Sequence, residues 1–428
     1  MRLNNLEDGP TAYWDNNGLR EYPDEVAAEI AANFDLRSLP KYFYQDPYPT
    51  YHALRRHAPV RSMPDGTYFI SRHADLEVIY KDTATFSSDK RIEFLPKFGD
   101  GRLYAHHTTS LVFNDPPLHT RVRKILAGAL TPRAIANMRA PVESLVGQLL
   151  DNLERKSNPD LIDDFAAAIP VEVIGNMLDV PRTERGPLRG WSLAILSALE
   201  PATSEAQLQQ GELAVQHFLA YLEKLVSQRR RRPGDPETDV LTRLLLGEAD
   251  GSRLTENELL HNVIFILNAG HETTTNLIGN GLAALTHWPQ EREKLLAFPE
   301  LINNAVEEFL RFESSNQLGN RITKRAIQIG DVRLGPSTPI TVCIGGANRD
   351  PTRFDQPDQL DIARSPNRHL AFASGPHQCI GMNLARLEAR IAISLFLARF
   401  PQYRISEPVV RGGRARFRGF LSLPTILE

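Results

Sequence analysis

Between Asp115 and about residue 310, apolar positions recur with a helical period, and the breaks fall at Pro132, Pro181, Pro233-Gly234 and Pro289. The same period returns at Leu384, Leu387, Ile391 and Leu395, which predicts a further long helix from Met382 to Arg399. Around these runs the pattern is shorter. A helix is expected over Tyr48–His57, then strands over Pro59–Ser62 and Thr67–Ser71 around the turn triplet Pro64-Asp65-Gly66. Strands are expected again at Ile327–Leu334 and Ile340–Cys343, followed by a Pro- and Asp-rich loop from Arg349 to Pro366 and, after the last helix, a β tail. The fold class is therefore mainly α with small β-sheets: helix-rich at about 115–311 and 380–400, β-containing at about 45–75 and 320–345. No linker or repeat interrupts residues 1–428, so a single domain is expected.

One helix stands apart by length. Thr255 and Glu258 have the spacing of a capping box, and helical patterning then runs to Trp288, about 33 residues or roughly 50 Å at the standard rise. It carries Gly270, Gly279 and Gly281, each unfavourable in a helix interior by about 1 kcal/mol unless close backbone approach is needed.

Composition narrows the class. Apolar residues make up 42% and charged residues 24%, so the chain has enough apolar surface to fold throughout. A net charge of −3 gives no global basic field, which argues against nucleic acid as the main partner. The run Arg229–Arg232 before Pro233 reads as a solvated helix end favoured by the macrodipole. The start of the chain is polar and acidic and no apolar run is long enough to span a bilayer, so a cytoplasmic protein with no membrane partner is expected.

Only two cysteines are present, too few for a disulfide framework or a four-ligand zinc site. Cys343 lies in the alternating apolar segment ITVCIGG and reads as core. Cys379 lies in the glycine-punctuated loop Phe372-Ala-Ser-Gly375-Pro-His377-Gln-Cys379-Ile-Gly381, which delivers it to the N-terminus of the Met382–Arg399 helix. Unpaired N–H groups there favour a thiolate and a metal bond. Gly375 and Gly381 allow the backbone to approach a flat cofactor.

The stretch Phe-x-x-Gly-x-x-x-Cys-x-Gly resembles the haem-binding signature of the cytochrome P450 family. The resemblance runs from DPYPTYHALRRHAPV to the RGFLSLP tail, and implies the P450 fold with haem b on Cys379, a thiolate whose electron donation favours O–O cleavage. The segment Ala269-Gly270-His271-Glu272-Thr273-Thr274 matches a second family motif. By that match Ala269 and Gly270 let the helix pass close to the haem, Thr273 hydrogen-bonds iron-bound oxygen and Glu272 relays protons. His271, on the opposite helix face, reads as structural.

Glu308 and Arg311 stand at i and i+3, and they resemble the family's Glu-x-x-Arg pair, with Arg364 as the arginine completing a buried charge network. His119 and Arg123, at i and i+4 in DPPLHTRVRKIL, match the propionate-binding helix, and Arg321 and His377 match further propionate contacts. Phe372, Gly375 and Gly381 complete the cofactor set. Relatives usually carry proline where this chain has Ser314-Ser315-Asn316-Gln317, a segment bordering the substrate pocket. Asn316 reads equally as a surface-turn residue or as a polar group aimed at substrate; Leu318 is a further candidate, as are Phe94, Phe98 and Tyr104 in the Phe86–Val112 loop and the helical region Leu193–Leu213.

The resemblance implies a monooxygenase that activates O2 with two external electrons and inserts one oxygen into a small, largely apolar molecule, by hydroxylation or O- or N-dealkylation. No flavin or iron–sulfur segment is fused to it, so a separate ferredoxin and ferredoxin reductase are expected, NAD(P)H serving only through the reductase, with Arg123 and Lys124 on the docking face. A haem-thiolate sensor or carrier, an isomerase, and a peroxide-driven enzyme are the alternatives. The presence of both Glu272 and Thr273 argues against them.

Overall fold

The computed structural model describes residues 10–14, 19–247 and 253–428; most of the polar N-terminal stretch lies outside them. Contacts gather the chain into two compact units. The first takes the chain up to Ser87 together with Gly279–Cys379 and Arg404–Leu423; the second takes Ser88–Ile278, Ile380–Tyr403 and the last residues from Pro424.

The first unit is built on a five-stranded sheet, in the order Val60–Ser62, Tyr68–Ile70, Pro339–Cys343, Leu318–Thr323, Phe86–Ser87. All neighbours are antiparallel except the Tyr68–Ile70 and Pro339–Cys343 pair, which is parallel with Ile70 opposite Val342. Strands this far apart in sequence bring the two β regions into one sheet. One apolar core joins Phe34, Phe43, Tyr51, Phe69, Leu318 and Cys343, and another joins Ile70, Leu76, Phe86, Ile340, Val342 and Leu370. Helix Tyr48–His57 forms as the pattern requires, with Pro49 in its first turn, where a missing N–H is harmless. The expected strand over Ile327–Leu334 is instead a hairpin, Ile327–Ile329 against Val332–Leu334, turned at Gly330 with φ +55°.

The second unit is helical. The break at Pro132 separates helix Leu118–Gly128 from the next: Thr131 accepts the N–H of Ala134 at 3.2 Å, and that helix runs Pro132–Glu154 and packs on Met382–Arg399. Helix Gly186–Ser197 packs on Glu205–Arg231, which opens with a full Ser204/Gln207 capping box. Trp191 meets Phe218 edge-on at 4.9 Å in that contact. The Arg229–Arg232 end is more engaged than expected: Arg229 pairs with Asp179 at 2.7 Å and Asp239 at 3.2 Å, and Arg230 pairs with Glu256. The Phe86–Val112 stretch is not an open loop, because it winds into helices Arg91–Phe98 and Arg102–Thr109.

The long helix spans Glu256–His287, 32 residues, against the 33 expected. The capping box forms: Thr255 N–H donates to Glu258 at 2.9 Å and Glu258 N–H to Thr255 Oγ1 at 3.2 Å. Among the described residues, no helix is long and apolar enough to cross a membrane.

Candidate functional site: a cysteine loop and an acid–hydroxyl helix

The two cysteines differ in what their surroundings permit. Cys343 is fully enclosed, its thiol receives the Gly346 N–H at 3.3 Å, and burial pushes its pKa up to about 12. Such a group stays protonated and inert, as the sequence suggested. Cys379 is exposed and not in a disulfide. Its N–H donates to the Phe372 carbonyl at 2.9 Å, and Gln378 N–H to Gly375 at 3.0 Å, so the loop is closed at both levels. Gly375 stands at φ +68°, and a Cβ there would lie 2.6 Å from the Tyr80 carbonyl oxygen, so only glycine fits. Helix Met382–Arg399 starts three residues beyond the thiol.

A single accessible sulfur ligand suits a metal that carries its other ligands with it. Among the described residues no group of three or more His, Cys, Asp and Glu is arranged to hold a bare ion. A haem iron, four-coordinate from its porphyrin, meets that description. Phe372 is half-buried with its ring 6.0 Å from His369, and Gly381 has nothing near its missing Cβ.

On the same unit, Arg321 is 7% exposed in strand Leu318–Thr323, with its guanidinium 5.0 Å from the Tyr80 ring. His377 is buried in the cysteine loop. On the second unit, His119 is buried and Arg123 half-buried on helix Leu118–Gly128, while Lys124 is exposed. These are cations or donors of the kind two propionates require.

In the long helix, Glu272 is 2% exposed, and Thr273 donates its hydroxyl proton to the Ala269 carbonyl at 2.7 Å. That bond leaves the Thr273 oxygen lone pairs available as acceptors. Ala269 is half-buried. At Gly270 the helix comes close to a neighbouring helix: a Cβ would meet Ile174 Cδ1, on helix Ala168–Met177. Helix packing therefore supplies a reason for this glycine that the motif did not. His271 is buried, and desolvation lowers its pKa to about 4, in keeping with a structural role.

The charge cluster is fully assembled. Arg311 Nε and Nη2 donate to the two Glu308 oxygens, both at 2.7 Å, and Arg364 Nε donates to the same carboxylate at 3.2 Å. Arg311 also reaches the carbonyls of Asn348 at 3.0 Å, Pro357 at 2.7 Å and Gln359 at 3.1 Å. Sequence reasoning missed two members: Asn367 donates to Glu308 at 3.0 Å, and the Asp361 N–H at 2.9 Å. It also missed Arg349, held between the rings of Phe312 at 3.7 Å and Tyr48 at 3.9 Å and paired with Asp358 at 2.8 Å. No local spacing marks these partners.

One substrate candidate and one surface-turn reading are corrected. Leu318 is fully buried in the core beside Cys343 and cannot line a pocket. Asn316 is no surface turn: it is half-buried and bridges Phe417 in antiparallel fashion, with its Oδ1 enclosed and without a hydrogen bond. Phe94 and Phe98 lie 5.0 Å apart and gather Phe113 and His107 around them, and Tyr104 is half-buried nearby in sequence. Leu213 is 52% exposed.

A family profile described as Cytochrome P450 matches residues 196–297 and 299–405. Cytochrome P450 107B1 of Saccharopolyspora erythraea is 41% identical over 293 residues, 68% of this chain and 70% of that protein. A vitamin D(3) 25-hydroxylase of Pseudonocardia autotrophica is 35% identical over 392 residues, covering 90% and 94%. Among solved structures, P450BioI in complex with a hexadec-9Z-enoic acid ligated acyl carrier protein superposes with a TM-score of 0.85 at 33% identity, covering 90% of this chain and 100% of that one.

Proposed function

Because this chain belongs to the cytochrome P450 family and is thereby an oxidoreductase of the monooxygenase class, we propose that it binds haem b through Cys379 and oxygenates a small, largely apolar organic substrate. The outcome would be hydroxylation, or O- or N-dealkylation. Both compact units serve that one enzyme, since the family match at 196–297 and 299–405 runs through each.

Bound haem would supply the activation of O2, which takes two electrons and two protons, gives one oxygen atom to the substrate and releases the other as water. Everything else falls to the chain. Cys379 holds the iron, and the helix N-terminus behind it favours the anionic sulfur. Arg321, His377, His119 and Arg123 hold the propionates by charge-assisted hydrogen bonds. Thr273 offers its oxygen lone pairs as an acceptor, and the Glu272 carboxyl can take up a proton and pass it on inside a site otherwise shielded from water. The cluster of Glu308, Arg311 and Arg364 stiffens the loop from Asn348 to Arg364 without touching the reacting atoms.

Electrons would come from a separate ferredoxin and its reductase, with NAD(P)H oxidised only at the reductase. The observation that carries the reading is the exposed Cys379 thiol in a closed loop three residues before a helix. The test is the carbon monoxide difference spectrum of the reduced protein. A strongly red-shifted Soret band in the wild type, lost in Cys379→His, is expected; a histidine-type band or absent haem in the wild type would remove the proposal.

A further inference from the structure

Three of the chain's 12 histidines meet inside the second unit. His106 and His107, on helix Arg102–Thr109, have ring centroids 5.0 Å apart, and the His106 ring lies 5.6 Å from that of His261 on the long helix. All three are 2 to 3% exposed. The neighbouring residue, Asn262, fixes the two helices together: its Oδ1 accepts the Leu111 N–H at 2.9 Å and its Nδ2 donates to Thr109 at 3.4 Å and to Glu258 at 2.8 Å. The cluster is thus a rigid feature. On its other side Phe94, Phe98 and Phe113 surround His107 at 5.6, 5.3 and 5.6 Å, so the imidazoles form the polar end of an aromatic wall.

The Nδ1 atoms of His106 and His261 are both buried and without a hydrogen-bond partner. A neutral imidazole carries one donor and one acceptor, and leaving such a group unpaired in the interior costs about 1–3 kcal/mol each. A fold keeps that penalty where a ligand relieves it. The residues are not arranged to hold a metal ion.

Building on the monooxygenase reading above, we infer that His106, His107 and His261 receive the carboxylic acid group of an otherwise apolar substrate. A carboxylic acid brings a donor and an acceptor on one planar carbon and can serve two imidazoles at once. An alcohol carries its donor and acceptor on a single oxygen and cannot become the anion, and an ester donates nothing. The acid can also pass its proton from oxygen to an imidazole nitrogen, leaving a carboxylate paired with an imidazolium by a charge-assisted bond. Burial, with repulsion from the neighbouring rings, holds His106 well below its usual pKa, and burial alone takes His261 to about 4; a carboxylate offsets these effects by favouring the charged ring, whereas a protonated amine adds to the repulsion.

The test is titration of the holoenzyme, followed by the Soret shift, with acid and methyl ester pairs of straight-chain, terpenoid and aryl-alkyl skeletons and with the corresponding primary amines. At least one acid should bind tenfold or more tightly than its ester. His261→Leu should abolish that preference, and His106→Gln, which keeps polarity and bulk if the leucine variant folds poorly, should reduce it. No acid preference across the set, a preference for the amines, or a preference untouched by both substitutions overturns the inference. The carbon monoxide spectrum separates the two readings: a normal thiolate band without acid preference removes only this inference, and an absent band in the wild type removes the haem-thiolate proposal itself.

Discussion

Glu308 and Arg311 share two parallel hydrogen bonds of 2.7 Å, and neither side chain is reached by solvent. Desolvation pulls the Arg311 pKa down and the Glu308 carboxylate pushes it back up, the balance expected of a buried ion pair that depends on its partner. Removing one member leaves an uncompensated charge, which typically costs about 3–5 kcal/mol. Glu308→Ala should therefore lower the yield of folded, haem-loaded protein severely, and Arg364→Ala, whose side chain is partly exposed and gives Glu308 a single bond at 3.2 Å, should lower it less. Spectral holoenzyme yield per unit of purified protein measures both; equal losses would contradict the ranking.

Gly375 is constrained twice, by φ +68° and by the Tyr80 carbonyl 2.6 Å from any Cβ. Gly375→Ala should destabilise by more than the roughly 1 kcal/mol of backbone strain alone, because the clash is with backbone and not with a yielding side chain. Thermal unfolding and haem retention after gel filtration should fall together. A wild-type Tm would show that the loop relaxes freely.

Thr273→Val removes the hydroxyl but keeps the bulk. If the hydroxyl manages protons, product formed per NAD(P)H consumed by the reconstituted system should fall by tenfold or more while the carbon monoxide spectrum stays unchanged. Unchanged coupling would relegate Thr273 to its bond with Ala269.

Stability should decline in mild acid. Burial lowers His261 and His271 to about 4 and holds His73 and His106 below their usual value. The unfolded chain takes up protons near pH 6.5 while folded His261 and His271 resist until about pH 4, so acid favours the unfolded state across that window. Each fully depressed histidine accounts for about 3 kcal/mol by its lower limit. His271→Leu should flatten the slope of the urea midpoint between pH 7 and pH 5, and a parallel slope would exclude His271 as a contributor.

Glu388 acts in the opposite sense. It is 2% exposed on helix Met382–Arg399, one oxygen has no hydrogen-bond partner, and burial pushes its pKa up to about 8. Its folded form holds a proton that the unfolded form releases near pH 4.3, so its contribution is lost as pH rises from there towards 8. Glu388→Gln should stabilise the protein on the order of 3 kcal/mol at pH 8 and little at pH 4.5, read from urea unfolding at the two values. Equal effects at both would place the carboxyl in its charged form.

Much of the fold was legible because it is decided locally. Helical period, the Thr255/Glu258 capping box, the i, i+3 spacing of Glu308 and Arg311 and the glycine-closed loop around Cys379 all act within one or two turns of chain, where sequence distance and spatial distance agree. The Phe86–Val112 stretch was misread for a related reason: short helices with a weak period resemble loops.

What remained belongs to packing. An apolar residue reads alike whether it lines a pocket or fills a core, so only the sheet register could place Leu318 against Cys343. Asn367 serves Glu308 from 59 residues away, and Arg349 finds its two rings on separate segments, because the fold closes loops whose pairing no periodicity encodes. The sequence by itself determined the helices, the cysteine loop and the acid–hydroxyl pair, through dihedral preference and periodicity. Tertiary structure alone decided which histidines meet and where Leu318 packs, because burial and proximity between distant segments are properties of the packed chain.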